Sequence, residues 1–186
     1  MVAAASIVMA LQTVVSRNID PQPTAIVTVG AMQAGRANNV IPQTATLALS
    51  VRALDAGVRD LLQARITALV QAQASSFGVR AVVDYQRDCP VLVNSPAETD
   101  FARQVALALV GADAVTLQGL ALAGSEDFAV MLQRCPGSYL LIGNGVGESP
   151  GGHGCMVHHP GDNFNDHNMA VGAAYWVLLA QSFLHP

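Results

Sequence analysis

The sequence predicts an α+β fold, in which helices cover one side of an antiparallel sheet, followed by a second module that begins at residue 89. Three observations support this prediction. Residues 1–88 show the patterns helix, strand, strand, helix, strand; one strand pattern alternates strictly; and the pattern changes at Cys89-Pro90. Helices that cover one face of an antiparallel sheet are the simplest way to bury the apolar side chains that lie along one face of each helix and strand. The 186 residues are 52% hydrophobic and 12% charged, which excludes global disorder.

The first helix is predicted over residues 1–15. Its apolar side chains recur at the spacing of one buried helical face, and they are Ile7, Val8, Leu11, Val14 and Val15. The segment has no basic n-region and is shorter than the roughly 18–20 apolar residues of a membrane span, which argues against both a signal peptide and a span. No capping residue precedes this helix, so we expect the chain to begin inside a larger structure.

Strands are predicted over residues 25–29 and 44–52, where β-branched residues and apolar/polar alternation occur. Asp55 is predicted to cap the second helix, and Gly78 to end it. The buried stripe of that helix is predicted to be Val58, Leu61, Leu62, Ile66, Leu69 and Val70. A third strand over residues 79–85 completes the first module.

The second module is predicted to contain a helix over residues 96–110, because Ser95 and Glu98 form a capping-box pattern around Pro96. A strand over residues 138–142 and a glycine-rich loop over residues 143–154 follow. Asn165 is predicted to cap a closing helix that ends near Phe183. Its inward-facing residues are predicted to be Val171, Ala174, Tyr175, Leu178 and Leu179.

Charge and cysteine content narrow the classes of partner and compartment. Nine arginines, no lysine and thirteen acidic residues give a net charge of −4, so nothing in the composition suggests a basic face for nucleic acid. No membrane partner is expected either. The chain has three cysteines, Cys89, Cys135 and Cys155, which cannot all pair with one another. No two of them have the CxxC spacing. A reducing compartment, and thus a cytoplasmic location, is predicted.

Two histidines and an acidic segment depart from simple packing patterns. His158 and His159 precede Pro160 and follow the glycine-rich loop, where an imidazole can point into a cleft and bind a metal; two solvated loop histidines are the alternative. If the segment is extended, the two adjacent rings point in opposite directions, and only one can reach a given metal. The segment 124–128 (GSEDF) is either a helix cap or a site loop.

Two further features have a chemical and a structural alternative. Arg52 lies on the polar face of its strand, where its guanidinium can either bind a carboxylate or form a surface ion pair. The glycines at residues 143–147 fail the GxGxxG spacing, so a dinucleotide site is disfavoured.

Four motifs, taken in order, resemble the second half of a metal-dependent amidohydrolase. They are residues 31–42 (AMQAGRANNVIP), 51–52 (VR), 124–128 (GSEDF) and 155–160 (CMVHHP). The family is the aminoacylase/carboxypeptidase group, which includes hippurate hydrolase and the indole-acetyl-amino-acid hydrolases. The resemblance implies that residues 1–88 are most of an α+β lid domain that forms a homodimer. Residues 89–186 would then be the C-terminal portion of an α/β zinc-peptidase-like catalytic domain.

The resemblance also implies roles for individual residues. Enzymes of this family hold two divalent metal ions, which can be zinc, manganese, cobalt or nickel, and a glutamate acts as general base. His158 matches a metal ligand, whereas His159 falls at a variable position. Substrate binding is implied for Asn38, Asn39, Arg52, Gly124 and Ser125. No catalytic residue is expected in this chain, because the general base and the other ligands belong to the family's N-terminal half. After Pro160 the chain also lacks the family's usual aromatic residue.

The function predicted from this resemblance is that of part of an amidohydrolase, which cleaves N-acyl amino acids such as hippurate to an amino acid and a carboxylic acid. The chain alone is predicted to be inactive. The alternative is a non-catalytic dimerisation and ligand-binding module from a truncated or decayed gene. A small stand-alone metal-binding protein is a third possibility, which requires tight metal binding by this chain alone.

Overall fold

The structure is a computed structural model that describes residues 1–117, 121–147 and 152–185. The chain divides into two compact units. Unit 1 contains residues 1–92 and 121–130, and unit 2 contains residues 93–120 and 131–186. Among the described residues, no helix combines the length and the apolar character that crossing a bilayer requires.

Unit 1 is built from two helices and a two-stranded antiparallel sheet. Its elements in chain order are α1 (Val2–Asn18), β1 (Ala25–Gln33), β2 (Thr46–Ala53) and α2 (Ala56–Ser76). Ala25 lies opposite Ala53 and Gln33 lies opposite Thr46, with a register shift between Val29 and Ala31. The side chains of β2 alternate between exposed and partly buried along its whole length, as the sequence predicts.

The core of unit 1 lies between the helices and one face of the sheet. Its buried residues are Ile7, Leu11, Val14, Leu62, Ile66 and Ala74, and strand residues such as Val27, Leu49 and Val51 pack against them. Helices on an antiparallel sheet are therefore confirmed. Asp55 accepts a hydrogen bond from the Val58 backbone N–H at 2.8 Å and caps α2. Leu61 departs from the prediction: it is 40% exposed, because it lies beside the buried stripe and not within it.

The third predicted strand is absent from the described sheet, which consists of β1 and β2. Residues 81–85 nevertheless alternate between partly buried and exposed, and Ala81 and Tyr85 pack against the core. The sequence pattern correctly identifies the inward-facing residues. A strand also needs a hydrogen-bonding neighbour, and residues 79–85 do not pair with β2.

Unit 2 is organised around two helices, α3 (Pro96–Val110) and α5 (His167–Leu184). A single 3-10 turn follows α3 at Ala112–Ala114, and a short helix α4 (Phe128–Leu132) lies where the chain passes from unit 1 to unit 2. The Tyr175 hydroxyl donates a hydrogen bond to the Ala102 carbonyl at 3.2 Å, and the rings of Phe101 and Phe183 meet edge to face at 6.3 Å. These contacts join α3 to α5.

The bounds predicted for α3 are confirmed, but the predicted capping box is wrong. Ser95 makes no side-chain cap; its hydroxyl instead accepts a hydrogen bond from the Gly137 N–H at 3.1 Å. The predicted strand over residues 138–142 is also absent. The Asn94 side chain takes the place of a neighbouring strand there, since it donates to the Tyr139 carbonyl at 2.9 Å and accepts from the Tyr139 N–H at 2.8 Å.

The closing helix α5 is confirmed, but it is less buried than its pattern predicts. Ala174, Tyr175, Leu178 and Leu179 are half-buried, whereas Val171 is exposed. The Asn165 side chain accepts a hydrogen bond from the His167 N–H at 3.2 Å, at the start of this helix. Trp176 lies on the open side of α5 and is also exposed.

Candidate functional site

Arg52 is the cation at the centre of the candidate site in unit 1. It lies near the end of β2, on the strand face that points away from the helices. Its Nη1 donates a hydrogen bond to the Ala123 carbonyl at 2.6 Å, and its Nε donates to the Ser50 hydroxyl at 3.4 Å. Within the described residues it forms no ion pair, in contrast to Arg87 with Asp60 and Arg103 with Asp100. Among the described residues, Arg52 therefore does not form the surface ion pair that was the alternative to carboxylate binding.

The guanidinium of Arg52 keeps donors available for a ligand. Two of its five N–H groups are used by Ser50 and Ala123, which leaves three, including both on Nη2. Neither partner is charged, so the positive charge is not neutralised by them. An oriented guanidinium with free N–H groups can bind a carboxylate through two parallel hydrogen bonds.

A cavity of about 850 Å³ lies beside Arg52 in unit 1. Gly124 and Ser125 line it together with Arg52, so the structure brings three of the five predicted substrate-binding residues to one place. Tyr85 also lines it; burial raises the pKa of its hydroxyl, and the charges of Arg59 and Arg87 act in the opposite direction.

The other two predicted substrate-binding residues are not brought to this cavity. Asn38 and Asn39 occupy an exposed turn between β1 and β2 and do not line it. The turn follows from the local sequence, because asparagine favours turns and Gly35 adopts a positive φ of 73° nearby.

The acidic segment after Ser125 acts as a helix start. The carboxylate of Glu126 accepts a hydrogen bond from the Phe128 N–H at 3.2 Å, where α4 begins. Glu126 therefore caps α4 and also lines the cavity, together with the exposed residues Gly124 and Ser125.

His158 and His159 lie in unit 2, in a turn and not in an extended segment. The prediction that the two histidine rings point in opposite directions assumed an extended segment, so it does not apply to this turn. His158 is exposed and has a φ of +70°, the one positive value outside glycine in the described residues. A histidine in this left-handed region is strained, and such strain concentrates at functional sites.

The two histidines differ in how their rings are engaged. The Nδ1 of His159 accepts a hydrogen bond from the Gly161 N–H at 3.0 Å, so this ring stabilises the turn. The ring of His158 has no hydrogen-bond partner in the described part of the chain. It is the freer of the two imidazoles to bind a metal.

A network of side-chain amides holds the loop that leads to His158. The Asn144 amide donates to the carbonyls of His153 and Asn163 at 3.1 and 2.9 Å, and its oxygen accepts from the Asn165 N–H at 2.9 Å. The Nδ1 of His153 lies 2.8 Å from the Asn163 carbonyl, which can only accept, so Nδ1 carries the proton. Sequence reasoning missed Asn144, although an asparagine within a glycine-rich loop is a signal for such turns. Residues 148–151 of this loop, including Glu148, lie outside the described residues.

The described residues do not form a metal centre by themselves. Over residues 1–117, 121–147 and 152–185, no three His, Cys, Asp or Glu side chains are grouped so that they could hold an ion. His158 can supply one ligand, and a catalytic zinc needs three from protein. All three cysteines are free thiols. The residues present thus fit part of a metal site only, and no chemical step through a metal follows from them.

Comparison with known proteins identifies the family. Residues 4–182 match the profile of Peptidase family M20/M25/M40. The chain is 34% identical to hippurate hydrolase of Campylobacter jejuni over 98% of its own length and 46% of that enzyme. It is 32% identical to N-acetyl-L-cysteine deacetylase of Bacillus subtilis over 95% of its length and 40% of that enzyme. The chain therefore spans less than half the length of these relatives.

A solved structure shows the same fold. The YXEP protein of Bacillus subtilis, described as a dinuclear metal-binding peptidase of the M20 family, superposes with a TM-score of 0.75. That match covers 99% of this chain and 45% of the other, at 24% identity. The two relatives are named as a hydrolase and a deacetylase. Since the family profile covers nearly the whole sequence, this chain belongs to Peptidase family M20/M25/M40.

Proposed function

We propose that this chain is part of a metal-dependent amidohydrolase that cleaves N-acyl amino acids, such as hippurate, to an amino acid and a carboxylic acid. The named substrates of two relatives, hippurate and N-acetyl-L-cysteine, both contain an amide and a free carboxylate. In the proposal, Arg52 binds that carboxylate, and Gly124 and Ser125 line the cleft around it. Asn38 and Asn39 contribute from the turn between β1 and β2.

One observation carries the proposal: Arg52 is oriented by the Ala123 carbonyl but is not neutralised by a described acid. Gly124 directly follows Ala123, which Arg52 contacts, and a side-chain carbon added at Gly124 would meet no atom within 4 Å. There is therefore space beside this backbone for a ligand.

His158 is proposed as a ligand of one of the divalent metal ions, which would polarise the amide carbonyl and activate water when bound. The observation that favours it over His159 is its unengaged ring. The remaining ligands and the general base are proposed to lie outside these 186 residues.

The domain roles and the assembly belong to the same proposal. Residues 1–88 are proposed to form most of a lid domain and residues 89–186 the C-terminal portion of the catalytic domain. A homodimer is proposed through unit 1, because β1 has an unpaired edge in the described sheet and α1 exposes Met9 and Val2. A cytoplasmic location is proposed from the three free thiols.

A chimera tests the proposed activity. The region of Campylobacter jejuni hippurate hydrolase that aligns with this chain would be replaced by residues 1–186, and hippurate hydrolysis would be measured. The chimera is expected to be active. Arg52→Ala is expected to raise KM by roughly tenfold or more, because a charge-assisted hydrogen bond to the substrate carboxylate is lost. Arg17→Ala, which removes an exposed cation of α1 outside the cavity lining and outside the four motifs, is the matched control.

Two results would contradict the proposal. A chimera that folds, as judged by circular dichroism and a homogeneous mass, but does not hydrolyse hippurate would favour the alternative of a non-catalytic module. Equal KM values for Arg52→Ala and Arg17→Ala would show that Arg52 does not bind the carboxylate.

A further inference from the structure

Residues 153–163, the histidine loop, carry His158 and form a loop of unit 2 whose two ends are tied together. His158 lies midway between His153 and Asn163. The Nδ1 of His153 donates a hydrogen bond to the Asn163 carbonyl at 2.8 Å, so the chain leaves and returns at nearly the same place. Compact surface loops of about 6–16 residues whose ends lie close together are frequently functional.

Asn144 ties the same two ends a second time. Its amide nitrogen donates to the carbonyls of His153 and Asn163 at 3.1 and 2.9 Å, which uses both N–H groups of the amide. Its oxygen accepts a hydrogen bond from the Asn165 N–H at 2.9 Å. One side chain outside the histidine loop therefore binds both ends of the loop and a residue just beyond it.

The base of the histidine loop is anchored to α5 and closely packed. The Asn165 side chain donates to the Asn144 carbonyl at 3.1 Å and accepts from the His167 N–H, where α5 begins. On the other side, the Gly154 N–H donates to the Gly147 carbonyl at 2.9 Å, and a side-chain carbon added at Gly154 would meet the Gly147 nitrogen at 2.8 Å. Such a close approach of two backbone segments leaves the base little freedom to move.

Between these ends, His158 has an unfavourable backbone conformation. Its φ of +70° lies in the left-handed region, which a residue with a Cβ keeps only where the surrounding structure imposes it. The described backbone hydrogen bonds inside the loop run from the His159 N–H to the Met156 carbonyl at 3.1 Å and from the Asp162 N–H to the His159 carbonyl at 2.9 Å. Neither of them involves His158. The hydrogen bonds at the base therefore supply the further restraint that this conformation needs.

We propose that Asn144 is a positioning residue, which closes the histidine loop and thereby fixes where the His158 imidazole points. Groups that orient a metal-ligating histidine are worth about 10- to 100-fold in metal affinity or activity. His153 has the same role through its Nδ1 hydrogen bond and is not itself a ligand in this proposal. The inference rests on the proposed function only where it concerns metal binding by His158, since the order of the loop follows from the hydrogen bonds alone.

Backbone NMR relaxation of the full 186-residue chain tests whether Asn144 closes the loop. The order parameters of the amides within residues 156–162 are expected to be about 0.85 in the unchanged chain, and Asn144→Ala should lower them below about 0.6. Asn168→Ala is the matched control, because it removes one side-chain hydrogen bond, to the Gly143 carbonyl, and leaves both ties of the loop in place. It should leave these order parameters unchanged.

Two variants of His153 distinguish a tie from a metal ligand. The amide nitrogen of an asparagine would lie close to the place of Nδ1, so His153→Asn should still donate to the Asn163 carbonyl and keep the loop ordered. His153→Ala cannot donate, and it should lower the order parameters by less than Asn144→Ala, because the two Asn144 hydrogen bonds remain. An imidazole that was needed for its Nε2 would be lost equally in both variants of His153.

Metal affinity tests the consequence for His158. The chimera with Campylobacter jejuni hippurate hydrolase, freed of metal, is titrated with Co²⁺ and followed by visible absorption. His158→Ala identifies the cobalt site that depends on this ring. At that site Asn144→Ala should raise Kd by about tenfold or more, whereas His153→Asn and Asn168→Ala should raise it by less than about twofold. With cobalt in excess, Asn144→Ala should regain most of its hippurate turnover, which a misfolded variant would not.

Three results would overturn the inference. Order parameters that stay at about 0.85 in Asn144→Ala would show that the histidine loop does not need this side chain. An unchanged cobalt Kd in Asn144→Ala, at a site that His158→Ala removes, would show that closing the loop does not position the ring. Equal losses in His153→Asn and His153→Ala would show that His153 acts through Nε2. If His158→Ala instead leaves cobalt binding intact, the proposed function is wrong at His158, and the order parameters still decide whether Asn144 closes the loop.

Discussion

Truncating Leu62 tests whether the α1/α2/sheet core is the main source of stability in unit 1. Leu62 is fully buried and packs in the same cluster as Leu11, which is also fully buried. Leu62→Ala removes three carbon atoms at about 0.8 kcal/mol each, or roughly 2.4 kcal/mol. The cavity left behind raises the expected loss of unfolding free energy to about 3–5 kcal/mol.

The neighbouring residue provides the matched control. Leu61 is on the same helix but 40% exposed, so Leu61→Ala is expected to cost only about 1 kcal/mol. The assay is urea denaturation followed by circular dichroism, together with thermal melting. At roughly 4–8 °C per kcal/mol for a unit of this size, Leu62→Ala should lower Tm by about 12 °C or more. Equal shifts for the two variants would refute the assignment of the core.

Three further predictions follow from other parts of the structure. Burial raises the pKa of Tyr85, so the stability that this residue contributes is present below its unfolded pKa of 10.0 and is lost as the pH rises above that value. In pH-dependent denaturation, Tyr85→Phe should therefore reduce the loss of stability at high pH. Asn144→Ala should lose three side-chain hydrogen bonds and make residues 143–165 more sensitive to limited proteolysis, whereas Asn168→Ala, which loses one to the Gly143 carbonyl, should have a smaller effect. The isolated chain should show no hippurate hydrolysis with any divalent metal added, because its described residues hold no three-ligand cluster; robust turnover by pure protein would contradict this.

Local sequence patterns predict the helices and β2 well, because caps and periodicity act within a few residues. Pro96 and the pattern that follows it are sufficient for the bounds of α3, and Asp55 caps α2 as expected. The segments over residues 79–85 and 138–142 are different. Both carry strand-like sequences, but forming a strand depends on a neighbour that sequence cannot show.

The candidate site is likewise predicted from the sequence only in part. The motifs identify Arg52, Gly124 and Ser125, which the structure places around one cavity. They do not predict that the Ala123 carbonyl orients the guanidinium, because this contact joins residues 71 positions apart. Nor do they predict that His158 lies in a left-handed turn, which depends on hydrogen bonds such as that from Gly161 to His159.

Metal content of the two histidine variants tests the central claim most directly. In the chimera with Campylobacter jejuni hippurate hydrolase, His158→Ala should lose one metal ion per subunit and at least about a hundredfold of the hippurate activity. His159→Asn should keep both metal ions and most of the activity, since its ring contacts the turn and an asparagine can accept the same hydrogen bond from Gly161. Equal losses in the two variants, or a greater loss at His159, would contradict the assignment of His158 as the ligand and the alignment of the 155–160 motif.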